Sequence, residues 1–188
     1  DIHDAILYWS VAAIKQDFSG AIIDYGTYPE QPMPHFAMHS LKKKLIDVTG
    51  AESAEEAIVT GVQRVGDAIC SKVYATPDGD TLQVAAMLFD VGYKQEEVSK
   101  GIRLTDFSWI MHGCRGVGIG PTEKPMPEYD VSPKRMRRAG PNPKRPRWYV
   151  PRESLNGVPI VRFDANYWKS LAAARLMQKR QSAGEWSL

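Results

Sequence analysis

At 188 residues one domain is the natural count, and a chain of that length buries a sizeable core. The net charge of +2 rules out a polycation, and a charged fraction of 24% with 43% apolar residues is that of an ordinary soluble protein. No apolar stretch is long enough to span a bilayer and nothing resembles a signal peptide, so no membrane is expected. Cys70 and Cys114 form no CxxC pair, which argues against zinc and fits a reducing cytoplasm. The chain starts at Asp rather than Met, which suggests a piece of a longer protein.

Residues 6–14 (ILYWSVAAI) read as a buried strand. Residues 21–27 (AIIDYGT) read as a second, closed by Pro29. The short connection between them predicts an antiparallel hairpin. Prolines 32 and 34 predict an irregular stretch or a sheet edge. Residues 40–48 form a short helical or extended piece. The clearest helix covers 54–72: Ser53 and Glu56 have the spacing of a capping box, and Ile58, Val62, Val65 and Ile69 make one apolar face.

After the TPDGD turn, residues 82–89 (LQVAAMLF) read as a buried strand ending on Asp90. A short helix over 95–102 follows, with Val98 inside, and then a strand over 107–112 (FSWIMH). The glycine-rich RGVGIG run lacks the strand–helix context of a dinucleotide fingerprint and reads as a flexible loop. Residues 121–146 are rich in Pro, Arg and Lys with no apolar period, which predicts a long flexible loop. Residues 147–150 and 158–163 flank Asn156-Gly157, a hairpin signal. A helix over 166–178 should bury Tyr167, Leu171 and Leu176. Residues 181–188 read as a frayed tail. A further antiparallel strand ahead of residue 6 would complete a meander. The order predicts an α/β domain over 1–188, a mixed sheet flanked by helices with a C-terminal β-hairpin and helix.

Three aspartates sit at or beside the ends of apolar runs: Asp1 in DIHD, Asp90 in MLFDVGY and Asp164 in IVRFDANYWKS. Strand ends collect chemistry in α/β folds. Gathered carboxylates suit Mg²⁺ or Mn²⁺, and paired ions of that kind hydrolyse phosphodiesters. An Asp after a strand serves equally as a helix cap or turn residue. The second signal is a basic cluster: Lys134, Arg135, Arg137, Arg138, Lys144, Arg145, Arg147 and Arg152, with no acid until Glu153. It can neutralise phosphates of double-stranded DNA with little sequence preference, or be a solvated loop. Trp148 and Tyr149 beside it suit hairpin core better than base stacking.

The blocks DIHDAILYW, AIIDYGTYPEQ, MLFDVGYKQEEV, RGVGIGPTEKPMPEY and VRFDANYWKSLAAARL resemble, in this order and over nearly the whole chain, the C-terminal nuclease domain of tailed-phage terminase large subunits. The resemblance implies a ribonuclease H-like fold and a metal-dependent endonuclease that cuts concatemeric viral DNA during genome packaging, in the host cytoplasm. It implies two Mg²⁺ or Mn²⁺ ions, with Asp1 bridging them and Asp90 and Asp164 completing one each. Asp1 corresponds to an acid that the family carries within its first strand. Implied partners are the packaging ATPase domain of the same subunit, the small terminase subunit and the portal; this chain has no GxxxxGK[ST] of its own.

Other polar residues have supporting readings. Asp24 lies inside an apolar strand, where an acid is costly unless paired, and reads as structural or as a support to the site. Asp4 could help hold metal or make a turn. Lys169 could contact phosphate or be a solvated helix lysine. His112 could shuttle a proton, touch DNA or be structural. Two rivals stand beside the nuclease: a non-catalytic DNA-binding module whose acids only cap helices, and another ribonuclease H-fold nuclease such as a junction resolvase or a transposase-like enzyme.

Overall fold

The computed structural model describes the chain apart from residues 18, 34, 77, 119–125, 127–134, 142–146, 153, 155, 178–185 and 188. The protein is mixed α/β. In chain order the strands are β1 (Leu7–Ile14), β2 (Gly20–Tyr28), β3 (Val73–Ala75), β4 (Thr81–Gln83), β5 (Met87–Asp90), β6 (Met111–Val117), β7 (Met136–Ala139), β8 (Trp148–Pro151), β9 (Ile160–Asp164) and β10 (Trp186–Ser187). The helices are α1 (Leu45–Thr49), α2 (Ala54–Cys70), α3 (Gln95–Leu104) and α4 (Ala165–Leu176).

The largest sheet runs β5-β6-β9-β8-β7. Its first three strands are parallel, with Asp90 registered on Cys114 and Asp164 on Val117. β8 and β7 add antiparallel. A second sheet runs β1-β2-β10, and β3-β4 form a separate hairpin. β1 and β2 are the expected antiparallel pair. Ahead of them the expected meander strand reduces, among the described residues, to one bridge, Ile2 to Leu7, and a reciprocal backbone pair between Asp1 and Tyr8 at 2.8 and 2.9 Å.

Helix α2 lays its apolar face on the sheet. Ile58, Val62, Val65 and Ile69 are all buried, together with Val98 and Ile102 of α3 and Val91, Met111 and Ile160 of the sheet. Each such side chain contributes about 1.5–3 kcal/mol, enough to outweigh the two interior glycines of α2, which cost about 1 kcal/mol each. The cap is half of the expected box. The Ser53 hydroxyl accepts the Glu56 N–H at 3.1 Å, but the Glu56 carboxylate takes the N–H of Glu52 instead. Gly101 lets α3 approach α2: a Cβ there would lie 2.7 Å from the Val59 carbonyl oxygen.

Several expectations are corrected. The 82–89 run is two strands, because Leu82 pairs back onto Tyr74 of β3 while Phe89 turns into the core. The strand expected at 107–112 starts at Met111 and takes in Arg115, Gly116 and Val117 of the run read as a loop; residues 108–110 make a 3-10 turn. Gly113 is tolerated there because a side chain would strike Val91 at 2.9 Å. Inside the span read as a flexible loop, Met136–Ala139 form β7, since Met136 and Ala139 pack with Met126 and Tyr149 in a small second core. The rest of that span lies largely outside the described residues. In the tail, Trp186 and Ser187 pair with β2 rather than fray. Helix α4 buries only Ala165; Leu171 is half-buried, and Tyr167 and Leu176 are exposed. β1 is not uniformly buried but alternates.

One consequence of the strand order positions the site. Among the described residues β1 pairs along its length only with β2, and β5 only with β6. The β1 strand and the 82–90 run both line a single cleft of about 1690 Å³, so two sheets are separated by a gap between strand edges.

Candidate functional site

The parallel strands β5, β6 and β9 end on one edge of the sheet, and Asp90 and Asp164 are the last residues of β5 and β9. Their surroundings differ. Asp90 is exposed and, among the described residues, its Oδ1 accepts one bond, from the Gly92 N–H at 2.8 Å. Its neighbour Cys114 has a thiol pushed up to about 11, first by burial and then by the negative charge of Asp90. The amino group of Asp1 also lies within reach of both. Burial holds it below its usual range, against the opposing pull of Asp90 and Cys114.

Asp1 therefore sits beside Asp90 through its backbone. Its carboxylate turns elsewhere: Oδ1 accepts the Ile2 N–H at 2.9 Å and Oδ2 lies 3.2 Å from His3 Nε2. Asp4 closes the same corner, accepting the Tyr93 hydroxyl at 2.9 Å and so tying the N-terminal segment to the loop after β5.

Asp164 is buried. Its Oδ1 accepts the Tyr167 N–H at 3.0 Å as the cap of α4, and its Oδ2 takes the Arg147 guanidinium at 2.6 Å. The Arg147 guanidinium also lies 4.4 Å over the Tyr167 ring. Arg147 is thus an ion-pair partner more than a free DNA contact. Register adds a separation: Asp90 aligns with Cys114 and Val161, and Asp164 lies three positions further on. That offset and two strand spacings put the Cα atoms about 14 Å apart, and an odd offset along an uninterrupted ladder reverses the face. The expected single cluster of Asp1, Asp90 and Asp164 is not assembled. Among the described residues no group of three or more His, Cys, Asp or Glu is gathered closely enough to hold a metal ion. The physical reason is local: Asp164 satisfies both oxygens with a helix N-terminus and an arginine, and Asp1 with its own neighbours.

Asp24 is a structural acid. Lys72 Nζ lies at 2.9 Å and the Tyr74 hydroxyl donates at 3.1 Å. Burial opposes its charge, yet these two bonds hold the carboxyl below its usual range. Tyr74 is pushed up to about 12 by burial and by that carboxylate. Lys169 is exposed on α4. His112 lies on the Asp90 face, two positions before Cys114, with its Nδ1 buried and without a partner among the described residues.

Of the basic cluster, Arg135, Arg137 and Arg138 are described and exposed, on or beside β7. Lys134, Lys144 and Arg145 lie outside the described residues. The sequence reading missed Arg115 and Arg162. They register directly opposite one another on β6 and β9, both exposed, and neither meets a carboxylate among the described residues. Like charges directly opposed destabilise a sheet, so this pair favours a bound anion. Each is a lone arginine in sequence; only the strand alternation of RGV and VRFD hints that they could share a face. Compared with family models, curated proteins and solved structures, the chain matches none.

Proposed function

We propose that the chain is a divalent-metal-dependent DNA endonuclease domain with a ribonuclease H-like fold, of the kind found in tailed-phage terminase large subunits. The observation that carries the reading is Asp90: an exposed carboxylate with one hydrogen bond among the described residues, at the C-terminal end of a parallel strand, with the Asp1 backbone alongside. Such strand ends are where α/β sheets hold ligands.

Asp90 fits a hard cation; Asp1 would join only by turning its carboxylate away from Ile2 and His3, and Asp164 only after releasing Arg147. Mg²⁺ or Mn²⁺ bound there would activate water and stabilise the leaving oxygen. The protein's own residues supply the rest. Arg115 and Arg162, one position beyond Cys114 and Val161, bind phosphate on the sheet face opposite the Asp90 side chain, as anchors for the duplex away from the cation. Arg137 and Arg138 extend the cationic surface along β7. The cleft between β1 and β5 has the lining to take one further extended segment. The substrate is double-stranded DNA. The ATPase domain, small subunit and portal are partners on this reading, and cleavage of concatemeric viral DNA is its role.

A second reading is favoured by Asp164. Its carboxylate is fully used as a cap and ion-pair partner, as in a DNA-binding module without catalysis. Nicking of supercoiled plasmid separates the two. The nuclease gives nicked product in Mn²⁺ and none in EDTA, and Asp90→Ala gives none in either. Equal DNA binding with no nicking in Mn²⁺ refutes the nuclease. Cleavage confined to four-way junctions would point to a resolvase instead.

A further inference from the structure

A cavity of about 380 Å³ opens where β6 begins, bounded by the end of α3, the 108–110 turn, β7, β8 and the loop before β9. Among the described residues its lining includes Arg103, Arg137 and Arg138 and no Asp or Glu. Three cations around a hollow without a counter-charge repel one another, and an anionic occupant removes that repulsion. Arg103 is already oriented, donating to the Asn156 carbonyl of the hairpin turn. Arg137 is the extra residue of a bulge, where the register slips between Met136 and Arg138. Bulges re-aim side chains, and here the slip brings two successive arginines to one opening.

Two further features point to more than a phosphate. Trp109 lines the cavity and is 77% exposed, an unusual position for so large an apolar ring and a ready surface for a planar base. His112 also lines it, and its Nδ1, covered while the cavity is empty, has no partner among the described residues. Such orphaned groups are rare and call for a bound partner. The volume lies at the small end of ligand sites, the scale of one nucleotide and not of a duplex.

We propose that this cavity is a nucleotide site, taking a phosphate between Arg137 and Arg138, a base against Trp109, and a hydrogen bond at His112 Nδ1. It is separate from the carboxylates and stands whether or not the chain cleaves DNA. The ligand chemistry is a phosphate joined to a planar base, carried by a free nucleotide or by one unstacked residue of a single strand.

The test is titration calorimetry of the full chain in EDTA, which silences any metal-dependent cleavage, with dTMP, an eight-residue thymidine oligonucleotide and inorganic phosphate as probes. At least one of the two nucleotide probes binds, and Trp109→Ala weakens it about tenfold, the size of a lost base–aromatic stack. The double variant R137Q/R138Q weakens it by a similar factor, and the His112 ring nitrogen resonance moves on saturation. These residues other than His112 are exposed, and circular dichroism verifies that the variants fold. Binding of dTMP with both losses assigns the site to free nucleotides, and binding of the oligonucleotide alone assigns it to a strand. The proposal is overturned if neither nucleotide probe binds, if Trp109→Ala leaves affinity unchanged, or if phosphate binds as tightly as the nucleotide probe that binds.

Discussion

The ends of β5 and β9 carry the same residue and use it in opposite ways. At the end of β5, Asp90 is exposed and, among the described residues, accepts a single backbone bond. At the end of β9, Asp164 is buried, caps a helix and grips Arg147. The first is a carboxylate that the fold leaves available. The second is one that the fold consumes. The contrast shows that position at a strand end provides opportunity, while the neighbouring backbone and side chains decide whether a carboxylate can still take a cation.

Substitution at the two sites breaks the comparison most directly. Asp90→Ala should lower nicking about a thousandfold or more, the value of several kcal/mol of lost charge stabilisation, and change urea stability by less than about 0.5 kcal/mol. Asp164→Ala should instead cost about 3 kcal/mol in urea unfolding, through a lost cap and a broken, partly buried ion pair. Equal stability losses at the two positions would erase the distinction. Asp164→Asn sharpens it: asparagine still caps, so about half the loss should return. The strand between them is the next point of attack. In Gly113→Ala the new methyl meets Val91 at 2.9 Å and Ile160 at 3.4 Å, wedging β5 and β9 apart, and should cost about 2 kcal/mol.

Smaller effects follow from charge. Replacing Arg115 and Arg162 together with glutamine should reduce the salt slope of DNA binding by about 2; an unchanged slope removes them from the interface. Cys114 reports on Asp90. Its thiol stands near 11 because burial and the Asp90 charge both oppose the thiolate. Alkylation at pH 8 should therefore be slow and rise as pH increases toward that value. Asp90→Asn, or Mn²⁺ bound at Asp90, removes part of the opposition and should speed labelling severalfold. No change with either would detach the two side chains.

What could be read from the sequence follows from how locally each feature is encoded. Helix α2 was legible because cap and apolar period occupy one continuous segment. The hairpin tip was legible because Asn156 and Gly157 both adopt positive φ, 49° and 83°, the conformation their pair favours. Strand β7 was not: two apolar residues, Met136 and Ala139, frame two arginines, and the strand exists only because Tyr149 and Met126 cover them. The break between β4 and β5 also escaped, since residues 82–89 are apolar except for Gln83 and only the different partners of the two strands divide them. For the site, the strand-end position of Asp90 and the helix-cap reading of Asp164 were both visible. Their mutual register and the opposed arginines depend on the pairing of β6 with β9, which no local pattern specifies.

The gap between β1 and β5 has a consequence for how the molecule behaves in company. Each rim offers backbone donors and acceptors, with Ile14 and Leu88 exposed nearby, and such rims act as templates for extended chain from any source. Copies of this protein at high concentration should therefore associate by lending each other strands. Keeping the preparation dilute, or supplying a short β-forming peptide in excess, should hold it monodisperse.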